Sequence, residues 1–74
     1  MKYEIGDIAQ FIIGSQTLIS MIMKIDEKYN RVYIYVFNSK EKWWACLDNF
    51  DHIFIGKVHP ILVKLWRLDE DINL

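Results

Sequence analysis

Five apolar stretches of six to nine residues, each closed by a polar turn, follow one another along the chain. They cover residues 8–13, 17–25, 31–37, 42–47 and 52–57. Gly6-Asp7 precedes the first. Gly14-Ser15-Gln16, then residues 26–30, 38–41 and 48–51, divide the others. Runs this short, with turn signals every eight to twelve residues, fit the strands of a small barrel or sandwich and are too short for most helices. Twelve isoleucines against two alanines, Ala9 and Ala45, point the same way. β-branched and aromatic side chains suit a pleated surface, and alanine is the residue that helices favour.

Alternation assigns faces to these strands. In the second run Ile19, Met21, Met23 and Ile25 share one face, and Leu18, Ser20, Ile22 and Lys24 the other. In the third, Val32, Ile34 and Val36 oppose Tyr33, Tyr35 and Phe37. Either both faces of that strand are buried, or the aromatic one is a binding surface. The C-terminal stretch reads two ways. Pro60 suits the first turn of a helix. Ile61, Leu62, Leu65, Trp66 and Leu68 then form an apolar arc, with Lys64 and Arg67 opposite. The same residues read equally as a sixth strand, apolar on both faces. Asp69-Glu70-Asp71 reads as a solvated end.

Seventy-four residues make one domain, here 1–74, and 53% hydrophobic residues with 15% aromatic ones exclude intrinsic disorder. A net charge of -1 excludes a strongly basic nucleic-acid arm. The lone Cys46 excludes an internal disulfide, and with His52 and His59 it offers no CxxC or HxxxH spacing for a metal. No metal and no other cofactor is expected. Met1-Lys2-Tyr3-Glu4 does not read as a signal peptide. A reducing, cytoplasmic setting is the expectation. Residues 8–23 carry no formal charge, but Gln10, Gly14, Ser15, Gln16, Thr17 and Ser20 interrupt them. They fall short of the roughly 20 apolar residues of a spanning helix. Two strands joined by a turn explain the stretch better, and no membrane partner is expected.

Gly6-Asp7-Ile8 opens the first strand. Two long strands follow, then Trp43-Trp44, then a polar turn with Leu47-Asp48-Asn49-Phe50 before a last short strand. This order, over residues 5–57, resembles an SH3-like small barrel. It is similar to the small SH3-like proteins of unknown function that tailed bacteriophages encode. The resemblance implies an all-β barrel of about five strands with a 3₁₀ turn before the last, followed here by a C-terminal helix or sixth strand. It also implies a small accessory protein of the infected bacterial cytoplasm. The Ala-Leu-Tyr-Asp-Tyr and Pro-Ser-Asn-Tyr motifs of peptide-binding SH3 domains are missing, so no proline-rich ligand carries over to Trp43.

The residues offer three kinds of chemistry. Cys46 and His52, with Asp48 and Asp51 between, would need contact and an exposed, acidified thiol to act as a nucleophile pair. A cysteine on a strand ordinarily serves as a small core hydrophobe. No phosphate-cradling glycine loop or hydrolase motif accompanies the pair, and the protein reads as no enzyme. Each histidine reads as a turn or edge residue. Single-stranded nucleic acid is the alternative ligand: Tyr33, Tyr35, Trp43 and Trp44 for stacking, with Lys24, Lys28, Arg31, Lys40 and Lys42 around them. Asp26, Glu27 and Glu41 among those lysines argue against it. The favoured reading is a protein-interaction module. The chain holds more large apolar side chains than a small barrel can enclose, and Trp, Tyr and Arg dominate interface cores. The expected partner is a second copy or another protein. The expected anchors are Trp43, Trp44, Tyr33, Tyr35, Trp66 and Arg67, and of the adjacent tryptophans one must point outward.

Overall fold

A computed structural model of the chain describes residues 3–59 and 61–64. Five strands form one antiparallel sheet: β1 Asp7–Ile13, β2 Gln16–Asp26, β3 Arg31–Val36, β4 Lys42–Cys46 and β5 Asp51–Lys57. Their order across the sheet is β4-β3-β2-β1-β5. A 3₁₀ turn, Leu47–Asn49, leads into β5. The architecture is an all-β, small barrel-like fold, as expected, and each strand lies within one residue of the sequence reading at either end. Residues 8–23 form the β1–β2 hairpin, and among the described residues no helix is long and apolar enough to cross a membrane.

The tight turns have local causes. The β1–β2 hairpin closes through Gly14-Ser15, with positive φ (+61°) at Gly14 alone. That is where a two-residue II′ turn places its glycine. Asn30 takes the left-handed conformation at the end of the β2–β3 turn, and its N–H donates to the Glu27 carbonyl. Asparagine tolerates that region better than most residues.

β2 is the long strand, and it bends. Residues 16–21 pair with β1, and residues 20–26 pair with β3. The β2–β3 register shifts between Ile22 and Lys24, a bulge that inserts Met23. This corrects the regular alternation expected for β2. Leu18, Ser20 and Ile22 share a face as read, and it is the inner one, but beyond the bulge Ile25 turns into the core and Lys24 turns out opposite Tyr33. One extra residue exchanges the faces of everything after it.

The interior holds Tyr3, Ala9, Phe11, Ile22, Val32, Ile34, Val36, Ala45 and Leu47. Leu18, Ile25, Trp43 and Phe50 pack around them. A second, smaller cluster lies on the outer face of the sheet. There Val63 is buried against Met21, Met23 and Tyr35, flanked by Ile8, Tyr33 and Val58. Residues 61–64 are helical, which settles the helix-or-strand alternative for those four. The Leu62 N–H donates to the His59 carbonyl, and the Ile61 N–H to His59 Nδ1. His59 thus satisfies two N–H groups at the start of this turn. Ile61 and Leu62 stay exposed. Leu65, Trp66, Arg67 and Leu68 lie outside the described residues.

Gly6 joins the two halves of this arrangement. Its N–H donates to the Ile22 carbonyl at the bend of β2, and its carbonyl accepts from Val58 N–H. Its φ is +96°, and a Cβ there would lie 2.6 Å from the Val58 carbonyl oxygen. Only glycine meets both conditions. Gly6→Ala is expected to cost about 2–4 kcal/mol from backbone strain and the collision. In a domain of this size that lowers Tm by about 10–20 °C. Gly14→Ala is the comparison: nothing lies within 4 Å of its Cβ position, so only the positive φ is penalised, by about 1–2 kcal/mol. Thermal unfolding of the two variants checks the ranking, and equal losses would remove Gly6 from this role.

Candidate functional site

The alternation of β3 and β4 sets the site. Tyr33 lies directly opposite Lys24 on one side and Trp44 on the other. Arg31 faces Cys46, one pair further along the same side of the sheet. Directly opposed and diagonal side chains on one face are within reach of each other. The result is a row of rings and cations along the β4 edge. Lys24 Nζ sits 4.9 Å from the Tyr33 ring centre. The Tyr33 and Trp44 rings are 5.3 Å apart and tilted by 52°. The Arg31 guanidinium lies 4.6 Å above Trp44 and 5.5 Å from Tyr29, and Lys28 Nζ reaches the Tyr29 ring at 5.4 Å. Arg31 Nε also donates to Asp26 Oδ2 at 2.9 Å.

Each cation–ring contact at such a surface is worth about 0.5–1 kcal/mol. Two of them share the Arg31 guanidinium, which Asp26 also holds, so the patch is organised before any partner arrives. Trp44 is 39% exposed and Tyr29 60%. Both are large rings left to water, while Tyr33 beside them is half-buried.

The expected anchors separate. Trp44 points outward. Trp43 points inward, half-buried, with its ring 6.1 Å from Phe50. It also forms one wall of a groove of about 590 Å3 at the β1–β2 hairpin end, with Leu18 and Val36 beside it and Ser39 and Glu41 at the rim. Tyr33 belongs to the outer row. Tyr35 is 7% exposed, covered by Val63. The alternative posed for the aromatic face of β3 therefore resolves along the strand: Tyr35 is buried, Tyr33 half-buried, and Phe37 exposed against Tyr35. Trp66 and Arg67 lie outside the described residues. Arg31 and Lys24, read from the sequence as part of a nucleic-acid surface, sit on the Trp44 and Tyr33 rings. Tyr29 was missed because it falls in a turn.

Cys46 corrects another expectation. The small core residue of β4 is Ala45; Cys46 is half-buried on the outer side, its Sγ 4.0 Å from the Tyr29 carbonyl. His52 is turned inward from β5. Its Nδ1 is 2.7 Å from the Tyr3 hydroxyl, and its ring lies against Tyr3 and Phe11. Its place on an edge strand fits the sequence reading, and its hold on the core does not. Among the described residues no group of three acidic, histidine or cysteine side chains is placed to hold a metal.

Burial, and then the nearby Asp7 carboxylate, push the Tyr3 phenol above its ordinary range. Tyr3 therefore keeps its proton, and its hydroxyl shares a hydrogen bond with His52 Nδ1. Lys57 is likewise raised, by its 3.1 Å bond to Glu4 and by Asp7. Above about pH 10 an unfolded chain releases a tyrosine proton that the folded chain retains, so stability falls as pH rises. Tm is expected to be flat to about pH 9 and to decline beyond it. Tyr3→Phe loses about 1 kcal/mol at neutral pH with its hydrogen bond, and its alkaline decline is shallower. A Tyr3→Phe profile parallel to the wild type would remove the phenol as a cause.

Compared with known proteins, the chain matches no family model, no curated protein and no solved structure.

Proposed function

We propose that this domain is a non-catalytic protein-docking module and that the Trp44 face is its contact surface. The observation that carries the reading is the exposed Trp44 ring held between Tyr33 and Arg31, with Tyr29 beyond. Trp, Tyr and Arg are the residues that concentrate binding energy at protein interfaces. Prior organisation lowers the entropy lost when such a surface is covered. Lys24, Lys28, Arg31 and Lys42 ring the patch, against Asp26 and Glu27, so a partner with an apolar or aromatic knob and acidic flanks suits it. If the resemblance to phage-encoded small barrels holds, the partner is a host or viral protein in the bacterial cytoplasm.

Single-stranded nucleic acid is the second reading, favoured by the same interleaving of cations and rings. The geometry weighs against it at one point. Lys24 and Arg31 already lie over ring faces of Tyr33 and Trp44, and those are faces a base would need for stacking.

The test is capture of partners from a bacterial lysate by the tagged protein, with and without nuclease, at low and moderate salt, for the wild type and Trp44→Ala. A protein that survives nuclease and salt, and whose affinity falls by about 2 kcal/mol or more in Trp44→Ala, is the expected outcome. Tm should change little, because Trp44 lies outside both buried clusters. Unchanged capture by Trp44→Ala would overturn the assignment. Recovery of nucleic acid alone, lost steeply with salt, would put the second reading first.

A further inference from the structure

The alternation that turns Trp44 outward turns Trp43 toward the interior and its open end. There Leu18 of β2, Val36 of β3 and Trp43 of β4 line the groove of about 590 Å3. Small ligands often bind in the mouths of barrels, in pockets of about 300–1,000 Å3. The charge on this groove has one sign. Glu41, on the turn between β3 and β4, is the one charged side chain among the described residues that line it. Lys40 and Lys42, its chain neighbours, take no part in the lining. The Glu41 side chain is exposed and makes no ion pair or hydrogen bond among the described residues. Its main chain is held in place: the carbonyl accepts from Val36 N–H at 2.8 Å, and the N–H donates to Ser39 Oγ at 3.4 Å. An unpaired carboxylate is thus fixed at the rim of a groove with an apolar floor.

We propose that this groove binds a small organic ammonium ion, a primary amine on an aromatic or aliphatic body. The ammonium lies at Glu41 and the body against Trp43, Leu18 and Val36. An ammonium group has three N–H donors and no acceptor. Glu41 takes one of them, and the neutral side chains of Asn38 and Ser39, in the same lining, offer oxygens to the others. Tryptophan is the ring that a cation favours most, so Trp43 suits both ends of the ligand. The charge also separates this groove from the Trp44 face. Lys24 and Arg31 ring that face and draw the opposite sign, so the two surfaces sort ligands by charge. The concavity suits a free amine, because it admits a small body on several sides where a protein partner would offer it one side chain.

This inference stands apart from the docking role of Trp44, and its test separates the two. The full chain is titrated at neutral pH with phenethylamine and followed by proton–nitrogen correlation spectra. Saturable shifts are expected at Thr17, Leu18, Val36 and the Trp43 indole, with a Kd of about 1 mM for a ligand of so few atoms. Phenethyl alcohol, of the same shape without the charge, should bind about threefold to fivefold more weakly, the worth of one exposed ion pair. Phenylacetate should not bind at this groove. Glu41→Gln should weaken the amine by the same factor and leave the alcohol unchanged, and Glu41→Lys should abolish amine binding. Both variants should keep the wild-type Tm, because the side chain they alter is exposed and the bonds of Glu41 are made by its main chain. Should either fail to fold, the comparison of amine and alcohol on the wild type carries the test. Trp44→Ala should bind the amine as the wild type does. Absence of saturable shifts would overturn the proposal, as would an alcohol that binds as tightly as the amine or an amine indifferent to Glu41→Gln. Shifts gathered on Tyr29, Tyr33 and Trp44 would place the amine on the docking face and equally overturn it. Binding of Nα-acetyl-lysine amide with none of phenethylamine would assign the groove to a protein's lysine and overturn the free amine.

Discussion

The bend in β2 is the constraint from which the rest of the molecule follows. An eleven-residue strand gives its first half to β1 and its second half to β3, and only Ser20 and Met21 are shared by both ladders. A flat strand could not do this and also wrap an interior. The bulge at Met23 increases the local twist, as bulges do, and Gly6 takes up the Ile22 carbonyl at that point. The same extra residue decides which side chains meet. It sends Ile25 inward and turns Lys24 outward beside Tyr33, so a device of the fold also composes one end of the candidate site.

A chain of 74 residues has little interior to bury, and this one supplements it by covering part of the outside. Val58 and Val63 lie on the outer face of the sheet over Met21, Met23 and Tyr35. The Gly6 carbonyl holds Val58 N–H, so the residue that secures the bend also secures the cover. Small domains are marginal because their surface is large for their volume, and a second apolar cluster offsets that. Ser20 shows the fold's tolerance. Its hydroxyl is fully buried between Ala9 and Val36 without a hydrogen-bond partner among the described residues, a cost of about 1–3 kcal/mol that the surrounding burial absorbs.

Much of this was legible in the sequence, for physical reasons that differ by element. Strand bounds followed from turn chemistry, because Gly14, Asn30 and the polar stretch before Lys42 each do something a strand cannot. The opposite orientations of Trp43 and Trp44 followed from a period of two. The same alternation turns Cys46 outward with Trp44, a consequence that its habit of lying in cores concealed. The bulge was not legible, since Met23 and Ile25 are both apolar and either could face in. Val63 was hidden for a similar reason: Ile61, Leu62 and Val63 form one apolar run, and which of them is covered depends on a contact with Met21 some forty residues away. The exposed row of Ile53, Phe54 and Ile55 did leave a signal. Three apolar residues between an aspartate and a lysine are the pattern of an edge guarded at both ends.

The order β4-β3-β2-β1-β5 gives the two surfaces their relation. Trp44 and Phe54 stand on opposite edges of one sheet, so covering one leaves the other free. The docking reading therefore rests on β2, β3, β4 and the turn before β3, and the exposed side chains of β5 take no part in it.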